Sequence, residues 1–590
     1  MPEERNSGRE KLEDIIKNFS PEKLSRFFRE KNRSFAPSQE SFNHYNDEGF
    51  ENGLKLGDIE SSEIERLIIC SFQVKQLLSE RSGKKAQYEK GKKILRETQS
   101  DAGIFIFYDQ QGNFRFSLIY ANYLDNRRDW SVFRRLTYFA SKEFTNKTFL
   151  KRIGDSDFSS LEKIKDAFSV EKVTKEFYES IAHWYFWTIE HCQFPKDVEA
   201  EENGRNIAVI RLITRIIFVW FMREQGLVPK ELFEEDNIRQ MLKDVSMESS
   251  TYYQAILQNL FFATLNTKQE ERQFRSEIRG HKGYNPDFGN QSVYRYHNLF
   301  KKPEEIGDYF GNIPFLNGGL FECFDDKPNG IYIDGFTETK EHQPVVPNLL
   351  FFSGEQTADL NVAHGTKDKD YIVRGILNIL SSFNFTIDEN SPDDADVALD
   401  PELLGRVFEN LLASFNPETS TTARKATGSY YTPREIVDYM VAESLKSYFK
   451  THLEGVEKID EKLGNLFSTG SEENPFDVEE SQKLVELIEN VKIVDPAVGS
   501  GAFPMGVLNK LVFVLNKVDQ GNELWKQAQL KAADVIPDPI VRRDTKSRIA
   551  EFFKDKNADY GRKLVTTQEA SRGRISPEGS WRLGLSLSAG

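Results

Sequence analysis

Cysteine is scarce in this chain. Cys70, Cys192 and Cys323 are its three thiols, far apart, with no Cys-x-x-Cys pair. That spacing argues against a disulfide framework or a zinc cluster and leaves three reduced thiols. Long apolar runs are absent as well. The most apolar stretch, IAVIRLITRIIFVWFM, is broken by Arg211 and Arg215 and is too short and too charged to span a bilayer. The N-terminus, MPEERNSGREKLED, is charged and has no apolar core of a secretory signal, so the compartment reads as cytoplasmic, with no membrane partner. A basic excess is lacking too, the formal net charge being -15. Bulk charge therefore does not mark a nucleic-acid binder, although a basic face can sit on an acidic protein. No fixed-period repeat is present.

What is there is globular. The 590 residues are 38% hydrophobic and 12% aromatic, which is bulk for several cores. The expected fold class is α/β with a large α-helical part. Residues 1–165 read as a mixed α/β domain, 166–395 as a mainly helical domain and 396–564 as a third domain, with an aberrant tail over 565–590. Met1 to about Leu95 reads mainly helical, the apolar residues from Ile59 to Leu78 falling at helical spacing. AGIFIFYD and NFRFSLIYANY are strand-like runs joined by Gln-Gln-Gly, a β-hairpin with Asp109 as a turn aspartate. FYESIAHWYFWTIEH and NIAVIRLITRIIFVWFMREQG read as helices, with Gly226 at the second one's C-terminal end. Further on, PREIVDYMVAESLKSYFK reads as an amphipathic helix, STGSEENPFDVEESQ as a loop and VKIVDP as a short buried strand.

The chemistry concentrates in VKIVDPAVGSGAF, Val491 to Phe503. It reads as a strand, an acid at the strand tip, then a Gly-x-Gly turn into a helix. Gly499 and Gly501 permit backbone angles and close approach that a side chain would block. The turn and the helix N-terminus present free N–H groups to a polar or anionic group. Asp495 supplies a carboxylate at the strand end, where open α/β sheets hold their ligands. A dinucleotide-binding Rossmann turn wants a third glycine where Pro504 stands, and no Gly-Lys-Ser/Thr follows for a phosphate loop.

Asp-Pro-Ala-Val-Gly-Ser-Gly-Ala-Phe resembles the S-adenosylmethionine motif of amino-methyltransferases that act on DNA, with Val498 where the usual form has Cys. Upstream, GSYYTPREIVDYMV, Gly428 to Val441, resembles that family's other cofactor motif, in which Thr-Pro precedes a helix. The order of the two is that of the γ-type adenine-N6 enzymes. LLGRVFENLLASFN, PFLNGGLFE, SPEKLSRFFREK and GIFIFYDQQGNFRFSLIYANY are similar to parts of large type IIG restriction-modification proteins, so the resemblance runs from about Ser20 to Leu564. It implies a helical, mixed N-terminal half followed by the beginning of a Rossmann-like class I methyltransferase sheet. It implies S-adenosylmethionine as cofactor and double-stranded DNA as partner, in restriction-modification or phage defence. By the same resemblance, Asp495, Pro496, Gly499 and Gly501 line the cofactor's methionine part, and Tyr430, Thr432 and Pro433 contact it from the other side. Phe503 packs beside the glycine turn or serves as ordinary core.

One expected motif is missing. Such enzymes hold a flipped adenine with Asn-Pro-Pro and an aromatic residue. Here Asn-Pro occurs at Asn285, Asn416 and Asn474, none followed by Pro-aromatic and all ahead of the glycine turn. Only 89 residues follow Gly501, and neither a ribose-gripping acid nor a target-recognition domain is recognisable among them. The expectation is therefore a truncated or frameshifted reading frame. The methyltransferase sheet should then hold about one to three strands, since each βαβ unit needs ~30 residues. No catalytic residue is assigned, and a separate specificity or catalytic subunit is a natural partner. A nuclease would need an acid and Asp/Glu-x-Lys on adjacent strands to hold a metal. None occurs between Met1 and Ser180, and Glu338-Thr339-Lys340 after Asp334 lies outside any strand pair, so nuclease activity is not expected. Arg127, Arg128, Arg134 and Arg135 form either a phosphate-binding patch or a solvated surface, and His183 and His191 read as structural.

Overall fold

A computed structural model describes residues 2–61, 64–79, 83–124, 127–274, 293–316, 319–364, 366–386, 394–399, 432, 434–468, 474–496, 502–519 and 522–552. The chain divides into two compact units, Met1–Thr427 and Gly428–Gly590. The class is α/β with a mixed sheet and many helices, as composition and pattern imply.

The first unit opens with α1 (Pro2–Lys17) and α2 (Pro21–Lys31), the latter entered through Ser20 and a first-turn proline. A seven-stranded sheet follows. Its strands are β1 (Phe35–Ser41), β2 (Phe50–Ser61), β3 (Ile64–Val74), β4 (Ala102–Tyr108), β5 (Phe114–Leu124) and β6 (Arg127–Ala140), then β9 (Asp394–Asp396) at the far edge, in that order. Neighbours pair antiparallel except β3 with β4 and β6 with β9. The parallel β3–β4 step needs a crossover, and α3 (Lys84–Thr98) makes it. On one face Leu24, Phe27 and Phe28 of α2 meet Ile104, Ile106, Phe116 and Leu118. On the other, Ile94 and Leu95 of α3 meet Ile68, Cys70, Phe72, Phe105 and Phe107. The sheet is thus the middle of three layers.

This corrects the helical reading of Ile59 to Leu78, which is the end of β2, all of β3 and the chain after it. Leu67, Ile68, Ile69 and Cys70 are all fully buried, so β3 is apolar on both faces and shows no period of two. The hairpin is as expected: Ala102 pairs with Tyr120 and Tyr108 with Phe114. Asp109 closes its turn, Oδ1 accepting from the N–H groups of Gln111 (2.9 Å) and Asn113 (3.0 Å).

Next come the helices α4 (Val170–His191) and α5 (Gly204–Glu224) and a π-helix, Tyr252–Leu265, buried at every position but Gln254. Ser169 caps α4, and Gly226 ends α5 in the left-handed region at φ 68°. His183 and His191 are structural, each ring nitrogen meeting a backbone carbonyl, of Ile372 and Trp187 respectively. A small sheet of β7 (Gln356–Ala358) and β8 (Tyr371–Val373) lies beside α4. Arg215, which interrupts the apolar run, is only 2% exposed. It donates to Leu320 O (2.9 Å), Glu322 O (2.8 Å) and Asp334 Oδ1 (2.7 Å). Asp325 gathers the same loop, accepting from the N–H groups of Ile333, Asp334, Gly335 and Phe336. Asp334 is thus committed to holding a loop rather than to a nuclease pair with Lys340.

The regular elements among the second unit's described residues are all helices: α6 (Arg434–His452), α7 (Ile459–Phe467), α8 (Val478–Asn490), α9 (Ala502–Val518), α10 (Glu523–Ala533) and α11 (Pro539–Phe552). The expected strand over VKIVDP is not one. Val491 to Asp495 run without a strand assignment, and the described residues of this unit supply no partner strand. Val494 is 67% exposed, whereas Val491 and Ile493 pack against the core. The loop expected over 468–482 ends early, because Asp477 and Glu480 form a capping box that opens α8.

Arg215→Ala should lower unfolding free energy in urea by about 3–5 kcal/mol, the cost of leaving the buried Asp334 carboxylate with only the more distant Arg211, 3.9 Å away. A loss below about 1 kcal/mol would show that Arg215 is not what holds the 320–336 loop.

Candidate functional site

The two motifs sit at helix starts, and the second unit is built around those helices. Thr432, half-buried and non-helical, stands just before α6. Ala502, the residue after Gly-Ser-Gly in the sequence, opens α9. Val437, Val441, Leu445 and Phe449 of α6 share one core with Val507, Leu511, Val514 and Leu515 of α9. Near their starts the helices approach closely. A Cβ at Gly506 would fall 2.6 Å from Val437 Cγ1. Lys510 Nζ lies 2.7 Å from Asp438 Oδ1.

Their far ends converge on α7. The Phe449 ring is 6.3 Å from that of Phe467, and Lys517 Nζ donates to Leu466 O at 2.9 Å. The helices therefore run parallel, with both N-termini at one end of the pair. Each start leaves its first N–H groups without a partner in its own helix, and the aligned peptide dipoles favour negative charge there. The chain thus brings two segments distant in sequence to a common end suited to an anionic group.

Of the residues assigned from sequence, Asp495 is half-buried, Pro496 is exposed in a turn and Phe503 is half-buried against the second unit's core. Tyr430, Pro433, Gly499 and Gly501 lie outside the described residues. Gly506 was not anticipated. Its signal was a glycine inside an otherwise apolar helical pattern, which marks a close approach.

The arginine set does not form one surface patch. Arg134 is exposed, whereas Arg135 is fully buried, its guanidinium 5.4 Å over the Tyr88 ring. The side chains of Arg127 and Arg128 are outside the described residues. The β2–β3 pair carries a variant of the pattern sought for a nuclease: Glu51 stands opposite Gln73, with Lys75 two residues on. A search for Asp/Glu-x-Lys passes over it, because its first member is an amide. Asp47, just before β2, pairs with Lys90 of α3. Among the described residues no group of three His, Cys, Asp or Glu is placed to hold a metal ion. Nor is any described helix long and apolar enough to cross a membrane.

No family model and no solved structure matches the chain. A curated protein of Methanocaldococcus jannaschii, named provisionally as a type II restriction enzyme and methyltransferase, is 26% identical over 328 residues. The match takes in 54% of this chain and 22% of that protein's length, so the chain spans a minor part of its relative.

Gly506→Val puts a branched side chain where one Cβ already crowds Val437. Overpacking of this kind costs about 1–3 kcal/mol. We expect a lower midpoint for unfolding of the second unit, followed by hydrogen exchange of α6 and α9. An unchanged midpoint would mean that the helices do not meet at Gly506.

Proposed function

We propose that the chain is the cofactor-binding part of a site-specific DNA adenine-N6 methyltransferase of a restriction-modification or phage-defence system, of γ-type motif order and type IIG relationship. The observation that carries this reading is the parallel pairing of α6 and α9, whose N-termini, each preceded in sequence by one of the two motifs, share one end of the pair. The distant relative's name agrees with it in class.

The residues present fit S-adenosylmethionine. Its methionine part carries a carboxylate and an ammonium group. The N-terminal ends of α6 and α9 suit the carboxylate, and Asp495, with a half-buried carboxylate, suits the ammonium. Tyr430, Thr432, Pro433, Pro496, Gly499 and Gly501 complete the cradle, and Phe503 fixes the start of α9 against the core. When bound, this cofactor supplies an electrophilic methyl group. The chain's own task is to position it and to keep water away. Double-stranded DNA is the partner this reading requires.

The whole sequence holds no Asn-Pro-Pro-aromatic segment. That observation favours a second reading in which the adenine is held by residues outside these 590, in a longer chain or in a partner subunit.

Equilibrium dialysis with tritiated S-adenosylmethionine, and a methyl-transfer assay on mixed-sequence duplex DNA, test both readings. We expect weak binding, abolished by Asp495→Ala, and no methyl transfer by the chain alone. Binding indifferent to Asp495→Ala would overturn the cofactor assignment. Methyl incorporation by the chain alone, lost in Asp495→Ala, would show that the acceptor base is held by residues of this sequence.

A further inference from the structure

The hairpin of α10 and α11 carries a groove that the cofactor reading leaves unused. Its volume is about 450 Å³, and its charged lining is three cations, Arg542, Arg543 and Lys546, against one carboxylate, Asp534. The Ser547 hydroxyl lies on the same wall. α11 as a whole holds four cations and two acids, in a chain of net charge -15. Arg542 and Lys546 stand one helical turn apart on the same side of α11, so they follow each other along the groove. The start of α11 is fixed, because the Asp538 side chain accepts from the N–H groups of Ile540 (2.8 Å) and Val541 (3.1 Å).

These cations are accessible and weakly committed. The Arg543 side chain is 79% exposed and meets Asp544 only at 3.8 Å. Arg542 reaches the Asp534 carbonyl at 3.4 Å, and Lys546 pairs with the Asp534 carboxylate at the surface. Exposed pairs of this kind contribute little to stability, so they yield to a stronger anion. Beside the groove, the turn into α11 exposes Val535 (80%) and Ile540 (65%), with Val541 next to them in sequence. Large apolar side chains gathered on one exposed turn, flanked by cations, mark a surface that meets a partner.

Charge selects an anion, and exposure selects a long one. A single small phosphate would exchange one set of water contacts for another at so open a place. A polyanion gains more, because each cation that meets it releases a condensed counterion. Duplex DNA carries one charge per ~1.7 Å of its axis, and its minor groove takes apolar side chains. An anionic bilayer would need a continuous apolar face beside the cations, whereas the large apolar residues that α11 exposes, Ile540 and Val541, lie in its first turn. We infer that the groove between α10 and α11 grips the phosphate backbone of duplex DNA. The choice of DNA rests on the function proposed above, and the groove shares no residue with the cofactor cradle. Contacts of this kind position a duplex without reading its sequence.

The test is fluorescence anisotropy of a labelled mixed-sequence duplex with the full chain, across a series of salt concentrations. The triple variant Arg542→Ala, Arg543→Ala, Lys546→Ala should lessen the log–log salt slope by about two to three, close to one for each lost phosphate contact. Its affinity at low salt should fall about tenfold or more. A control triple, Lys142→Ala, Lys340→Ala, Lys367→Ala, removes the same charge at exposed positions of the first unit and should change affinity by less than about twofold. Asp534→Asn, which removes the groove's carboxylate and frees Lys546, should tighten binding, an effect that a damaged fold does not produce. Duplex binding unmoved by the groove variant, or lowered equally by both triples, would overturn the inference and leave the proposed function standing. Failure of the unaltered chain to bind duplex at all would overturn the DNA reading together with the inference. Binding to phosphatidylserine vesicles in place of duplex, lost in the groove variant, would overturn it in favour of a lipid surface.

Discussion

The second unit depends on one contact, the close approach of α6 and α9 at Gly506. A larger residue there would push the helices apart at their starts, where the two motif segments enter. The rest of that unit reads as support for the approach. Asp438 and Lys510 tie the pair on its flank, and α7 closes the far end through Phe467 and the backbone carbonyls that receive Lys517. What matters for chemistry is direction. Antiparallel helices would present one positive and one negative dipole end at each extremity; a parallel pair presents two positive ends together.

The first unit solves a different problem. Its sheet is covered on both faces, and the helical region beside it carries a long irregular segment rich in turns. That segment stays in place because charge is buried with its partners: Arg215 with Asp334 and two carbonyls, Asp325 with four backbone N–H groups. Buried charges of this kind contribute less to net stability than to fixing one arrangement.

Much of this was legible in the residues, for reasons that can be stated. The β4–β5 hairpin had two short runs rich in apolar and aromatic residues on either side of a turn with an aspartate, and α5 had a glycine after its last turn. Both signals are local, and both elements formed as read. β3 was not legible, because a strand buried on both faces loses the alternation that distinguishes it from a helix. VKIVDP was over-read for the complementary reason: its residues favour a strand, but a strand exists only with a partner. α8 was under-read because its capping box sits inside a stretch that otherwise looks like loop. In the candidate site, the motif residues could be named from sequence. Gly506 showed only that something approaches closely; that the partner is Val437, far away in the chain, was not legible.

The most direct test of the central claim is photolabelling of the chain with tritiated S-adenosylmethionine, followed by peptide mapping. The account predicts that label concentrates in two peptides, one spanning Gly428 to Val441 and one spanning Val491 to Phe503. It also predicts that Gly506→Val reduces labelling of both together, because a single helix pair positions them. Label confined to one peptide, or found elsewhere in the chain, would contradict the claim that the two motifs form one site.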